Sequence, residues 1–404
     1  MSLFSRSLRP LFSRSWKPLA FSSEGFVPIP TDKEVDEETL PDCVASRYYP
    51  VRIGGVFRAR YQVVSKLGFG ATSTVWLARD LRWVRIENSS KDHPGRSAVR
   101  LLLDSFDIDG PNGRHRCLVH PPLWESILDF RHRDPVQGLP EPVMAFVLKR
   151  LFQALDFLHE ECHVAHTDIK EANVLLGADE SVLRAFEQEE FNEPCPRKEL
   201  DGRIIYLSRE LSIPQDFDAP VLCDLGSAVL LDDGAERRED IQPNVYRAPE
   251  VILDIPWTYS VDIWNVGCMI WDAFEGEHLF TGLGPELETY RGRAHLAEMI
   301  ALLGPPPPSL LAQANLRSKF FSVAGELRAT RRHLFSSNDA FEGDLCAGIP
   351  IPESIPLEHR ETSLEGEDRD CFLRFMRKML QWEPEKRSCA RELAEDEWIL
   401  KHTT

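Results

Sequence analysis

The strongest constraint on this chain is a series of short polar motifs that follow one another in fixed order. His166-Thr167-Asp168-Ile169-Lys170-Glu171-Ala172-Asn173 comes first. It stands directly after a stretch opened by Pro142 in which Val143, Val147, Leu151, Leu155 and Leu158 keep helical spacing. Asp224-Leu225-Gly226, Ala248-Pro249-Glu250, Asp262 and Arg387 come later. Taken singly, each is a turn carboxylate or a surface cation of the kind any solvated loop carries. Upstream, Tyr61-Gln62-Val63-Val64 reads as a strand and runs into Leu67-Gly68-Phe69-Gly70-Ala71-Thr72-Ser73-Thr74-Val75-Trp76, two strands joined by a glycine-rich turn. On its own such a turn more often serves φ > 0 geometry than phosphate binding. Helical patterns dominate the later chain at 263–274, 295–303 and 371–380, and Pro305–Pro308 must end the second of them.

Composition narrows the classes. With 404 residues the chain can bury a substantial core. Asp+Glu at 65 against Lys+Arg at 47 gives a net charge of −18, which disfavours direct nucleic-acid binding and suits a basic partner or plain solubility. No apolar run reaches the 18 or so residues of a membrane span. Nine scattered cysteines without a CxxC argue against both a disulfide framework and a zinc ribbon. Residues 1–23 carry Arg6, Arg9, Arg14 and Lys17 and no acid, a pattern that fits a mitochondrial transit peptide and a disordered basic tail alike. Residues 24–58 are acidic and Pro-rich without periodicity, and read as a linker or loosely docked arm.

The ordered motifs, with the glycine-rich turn, resemble the signature of the eukaryotic protein kinases. Further detail narrows the resemblance: His-Thr-Asp in place of His-Arg-Asp, a long acidic insert between Asn173 and Asp224, and Asn244-Val245-Tyr246-Arg247-Ala248-Pro249-Glu250. With Trp257, Asp262-Ile263-Trp264, His295 to Ile300 and Leu303-Gly304-Pro305, these resemble the SR-protein-kinase branch of serine/threonine kinases, of a fungal type. The resemblance implies an α+β bilobal fold. A small, here truncated, β-rich lobe with its hinge covers 59–122, and a larger helical lobe covers 123–401 with an insert at about 178–216. ATP should lie between the lobes against Leu67, Gly68, Gly70 and Val75.

Phosphoryl transfer needs the γ-phosphate held in line with a hydroxyl and its charge neutralised. Asp168 is the candidate to orient the hydroxyl and accept its proton, and Lys170 to stabilise charge on the transferred group. Asn173 and Asp224 offer hard oxygens suited to Mg²⁺. By resemblance Glu250 and Arg387 form a buried ion pair and Asp262 braces the loop carrying Asp168. The resemblance also implies a monomeric ATP-dependent kinase acting on serines of basic, Arg/Ser-rich proteins in mRNA processing, in cytoplasm and nucleus, with the mitochondrion the alternative that residues 1–23 raise.

Two departures stand out. Thr167 occupies the place of the Arg that clamps a phosphorylated activation segment in many kinases, and between Ala228 and Glu250 there is no Ser or Thr. Both point to a segment ordered without phosphorylation, its Asp232, Asp233, Glu236, Glu239 and Asp240 in solvent. Secondly, the strand-borne Lys and helix-borne Glu that hold the α- and β-phosphates are not found. Between Ala78 and Val99 there is too little chain for a third strand and a helix, and only Arg85 and Lys91 offer substitutes. Either the chain is a shortened product of an active kinase, or it is a pseudokinase that docks Arg/Ser-rich partners without phosphorylating them.

Overall fold

The computed structural model describes residues 14–41, 43–83, 93–133, 139–178, 180–200, 202–209, 218–284, 289–321 and 351–403. Arg6, Arg9, Arg85 and Lys91 lie outside these. The chain forms two compact units, the first of residues 1–92, 101–124 and 177–218, the second of 93–100, 125–176 and 219–404. A division running straight along the sequence at residue 122 therefore changes in two places. The insert packs with the first unit, and 93–100 packs with the second. The latter follows from a close approach: the turn Pro94–Ala98 lies on the helix Glu141–Asp156, and a Cβ on Gly95 would stand 1.7 Å from the Gln153 carbonyl oxygen.

The first unit is built on the strands Tyr61–Phe69 and Thr74–Asp80, paired antiparallel with Gly68 opposite Val75, and flanked by Val56–Phe57. A register shift between Lys66 and Gly68 leaves Leu67 bulged out of the ladder. A separate hairpin pairs Asp104–Gly110 with Gly113–Val119, turning at Pro111-Asn112 with Gly113 at φ 144°. Among the described residues no strand joins sheet and hairpin. Side chains do so instead: Tyr61 Oη donates to Asp104 Oδ2 at 2.8 Å and its ring stacks on Phe106 at 5.9 Å.

The expected loose arm is in fact docked, because Lys66 is buried on the strand and needs counter-charge that only the arm's acids supply. Lys66 Nζ meets Asp36 at 2.9 Å and also the buried Glu37, and donates to the Tyr206 carbonyl at 3.0 Å. Both acids stand in a segment without periodicity, and an ion pair needs no periodicity and so leaves none to read. The insert closes the cluster with its helix Glu180–Asn192 and its hairpin Arg197–Leu200 with Arg203–Tyr206. Lys198 pairs with Glu38 at 2.8 Å, and Ile29 N donates to the Arg197 carbonyl at 3.0 Å.

The second unit is mainly helical, so the whole is α+β. Its centre is Ser260–Glu275, buried from Val261 to Ala273 and ended by Gly276 in the left-handed region. Around it lie Glu141–Asp156, Gly292–Leu303 and Gly366–Met379; Phe152 of the first meets Phe375 of the last edge-on, and Phe375 stacks on Trp398 of the helix Glu397–Thr403. Gly292–Leu303 ends at Gly304, φ 76°, just before the proline run.

His295 on that helix is fully buried, and desolvation, then the Arg247 cation, hold its imidazole down at about 3. It is therefore neutral in the fold, whereas in the unfolded chain it takes a proton below about pH 6.5. The fold keeps its full advantage above that pH and loses it as pH falls toward 3, by about 2 kcal/mol at roughly pH 5. Melts of the wild type and His295→Gln across this window should show the wild type losing stability more steeply on acidification.

Candidate functional site

Asp262 organises the loop between Val164 and Asn173 from the first turn of the buried helix. Its Oδ2 accepts from His166 N at 2.7 Å and its Oδ1 from Thr167 N at 2.8 Å, while His159 Nε2 stands 2.9 Å from Oδ2. Full burial pushes this carboxyl up, but the bond from His159, the nearby imidazoles and the His166 amide outweigh it and hold it below the usual range. Thr167 is thereby kept at φ 66°, an outlying conformation for a β-branched residue. From there its hydroxyl donates to the Ser227 carbonyl at 2.8 Å, and His166 Nε2 lies 2.9 Å from the Cys223 carbonyl. Both bonds tie the loop to the turn bearing Asp224. Sequence reading gave Thr167 only a missing clamp; its tie to Ser227 has no motif and was not legible.

On this loop Asp168, Lys170 and Asn173 converge. Lys170 Nζ meets Asp168 Oδ2 at 2.7 Å, and Asn173 Nδ2 donates to the Asp168 carbonyl at 2.8 Å and to Oδ2 at 3.1 Å. The Asn173 amide nitrogen is thus committed to Asp168, which leaves its carbonyl oxygen for another ligand. The strands Val174–Gly177 and Asp218–Leu222 pair, and Cys223 N donates to Asn173 O at 2.8 Å, bringing Asp224 beside Asn173 along the backbone. Asp224 is exposed at φ 62°, with Oδ1 accepting from Gly226 N at 3.3 Å. Two free hard oxygens, from an amide and a carboxylate, fit a small divalent cation that keeps water and phosphate ligands of its own.

The segment from Ala228 to Glu250 is held by its own contacts. Gln242, φ 71°, donates from Nε2 to the Val261 carbonyl and to Asn265 Oδ1, both at 2.8 Å, and accepts from Ala248 N at 2.9 Å. Arg237 pairs with Asp233 at 2.6 Å, Trp257 Nε1 donates to the Glu239 carbonyl, and Arg247 meets Asp240 at 3.2 Å. Asp232, Asp233, Glu236, Glu239 and Asp240 are exposed. Tyr246 is buried, and its hydroxyl donates to Asp272 Oδ2 at 2.6 Å. Gln242 has no motif either; only its left-handed backbone marks it.

Glu250 and Arg387 meet in a two-pronged pair at 2.6 and 2.7 Å with no side-chain exposure, and the Arg387 guanidinium lies 5.1 Å from the Trp264 ring centre.

In the first unit, Leu67, Gly68, Gly70 and Val75 line the glycine-rich turn and its strands. Neither Gly68 nor Gly70 has positive φ. A Cβ on Gly68 would meet nothing within 4 Å, and one on Gly70 only the Ser73 carbonyl at 4.0 Å. Backbone geometry and packing therefore explain neither glycine, and the open space beside both would admit a ligand close to the backbone. Val75 is 43% exposed beside them. The lysine nearest the turn, Lys66, is spent on the arm. It is the one lysine that the strands Tyr61–Phe69 and Thr74–Asp80 carry.

The protein kinase domain model matches residues 215–399. A serine/threonine protein kinase of Aspergillus fumigatus is 40% identical over 395 residues, covering 91% of each chain. The serine/threonine-protein kinase SRPK of Physarum polycephalum is 30% identical over 413 residues, covering 90% of this chain and 91% of the relative. The human SRSF protein kinase 3 is 23% identical, again with 91% of each chain covered.

Removing one partner of the Glu250–Arg387 pair strands a buried charge, a cost of about 3–5 kcal/mol. Arg387→Met should lower stability by that amount in denaturant titration, and adding Glu250→Gln should restore part of it.

Proposed function

Because this chain belongs to the serine/threonine protein kinases, in their SR-protein-kinase-like branch of fungal type, we propose that it transfers the γ-phosphoryl group of ATP to serines of basic, Arg/Ser-rich proteins. The observation that carries this reading is the convergence of Asp168, Lys170 and Asn173 beside the Asp224 turn. Asp168 orients the substrate hydroxyl and takes its proton. Lys170, 38% exposed and paired with Asp168, exchanges that partner for the transferred phosphate, where its charge opposes the developing negative charge. Asn173 and Asp224 hold Mg²⁺, which neutralises the phosphates when bound. Glu250, Arg387 and Asp262 keep the frame.

Among the described residues the family's strand-borne lysine has no counterpart, so the glycine-rich turn would meet phosphate with its backbone N–H groups alone. Relatives named as kinases favour this catalytic reading over a binding module. The net charge of −18 supports a basic peptide as substrate, and the relatives named SRPK and SRSF protein kinase support Arg/Ser-rich proteins and a link to mRNA processing. A monomer acting in cytoplasm and nucleus completes the proposal; redistribution of a tagged chain on deleting residues 1–23 would point to the mitochondrion instead.

Labelled phosphate should pass from ATP to an Arg/Ser peptide, and Asp168→Asn should cut the rate by roughly 10²-fold or more. Equal rates for the two proteins would refute the catalytic reading. Phosphatase treatment should leave the wild-type rate unchanged, since Gln242 and Arg247 hold the segment without a phosphate; Gln242→Ala should lower the rate several-fold.

A further inference from the structure

The glycine-rich turn is closed internally by Gly70 N donating to the Ser73 carbonyl at 2.8 Å. It is also held from outside its own strands. Tyr48, on the arm and 4% exposed, places its hydroxyl 2.9 Å from the Gly70 carbonyl and 3.0 Å from the Ala71 carbonyl. One phenolic proton is shared between two acceptors on consecutive peptide units. In a trans peptide the carbonyl and the following N–H point in opposite directions. Engaging these two carbonyls therefore turns the N–H groups of Ala71 and Thr72 away from Tyr48, and among the described residues neither has a protein acceptor.

Tyr48 is itself fixed by the insert. Arg203, on the hairpin Arg203–Tyr206, donates from Nη1 to the carbonyls of Ala45 and Tyr48 and lies 5.7 Å from the Tyr48 ring centre. Its Nη2 stands 3.6 Å from Glu37, the same carboxylate that pairs with Lys66 on the strand leading into the turn. Arm, strand and insert thus close a ring of contacts whose one hydroxyl reaching the turn is Tyr48.

We propose that Tyr48 is a positioning residue for nucleotide binding: seated by Arg203 of the insert, it holds the Gly70 and Ala71 carbonyls so that the Ala71 and Thr72 N–H groups are presented to the phosphates of ATP. The assignment rests on the kinase reading for the identity of the ligand. It gives the arm and insert a task in ATP affinity, where no phosphate-binding strand lysine stands among the described residues.

Tyr48→Phe keeps the ring and its packing and removes only the hydroxyl. It should raise KM for ATP roughly 3- to 10-fold, the effect of one lost neutral hydrogen bond. The rate at saturating ATP and KM for an Arg/Ser peptide should stay within about two-fold, and amide exchange across residues 66–75 should quicken in the nucleotide-free protein. Arg203→Gln, a second variant with Tyr48 intact, should move the same two readouts in the same direction. An unchanged KM for ATP, or a loss confined to the saturated rate, would overturn the assignment, as would unchanged exchange. A wild type that neither binds nor uses ATP would overturn the kinase reading itself, and that failure is visible before any variant is made.

Discussion

A carboxylate with no access to water, Asp262, is the constraint from which the catalytic loop takes its shape. A buried ionised group must be surrounded by donors, and here two of them are consecutive backbone amides, His166 N and Thr167 N. Satisfying both with one carboxylate dictates the local backbone and accounts for the left-handed Thr167. That conformation aims the Thr167 hydroxyl at the Ser227 carbonyl. The link to the Asp224 turn is thus a consequence of how one helix residue is solvated, and Asp168 inherits its position from the same geometry.

The first unit is organised by charge in the same way, with the signs reversed. Lys66 is almost wholly buried and is neutralised by Asp36 and Glu37. A buried ion pair of this kind contributes less to net stability than to uniqueness of arrangement, because desolvation offsets much of the attraction. Its effect here is to select one docking of the arm out of many. Glu37 also faces Arg203, so the insert is drawn into the same arrangement and need not carry a large apolar face.

The motifs made the catalytic loop legible, because Asp168, Lys170 and Asn173 lie within six residues and need only local geometry to converge. The helices around Glu141–Asp156 and Ser260–Glu275 were legible from apolar spacing for a similar reason. What could not be read was every contact between distant, aperiodic segments. Asp36 and Glu37 stand in an aperiodic segment, and their partner, a lysine buried on a strand, lies about 30 residues away in sequence. Tyr246 is of the same kind: its partner Asp272 stands 26 residues on, on the buried helix. Gln242 offered no composition or pattern at all; its importance is carried by a backbone angle and three hydrogen bonds.

The same logic bears on the strands of the first unit. Among the described residues the hairpin Asp104–Gly110 with Gly113–Val119 has no ladder to the strands Tyr61–Phe69 and Thr74–Asp80. Backbone pairing is replaced by a phenol–carboxylate bond and stacked rings between Tyr61, Asp104 and Phe106. Side-chain contacts fix fewer degrees of freedom than a ladder does, since each can hinge about its own torsions. A glycine-rich turn on so short a sheet depends more on anchors from outside the strands than it would on a full one. The arm and the insert, which look like additions to the sequence, are the segments that supply those anchors.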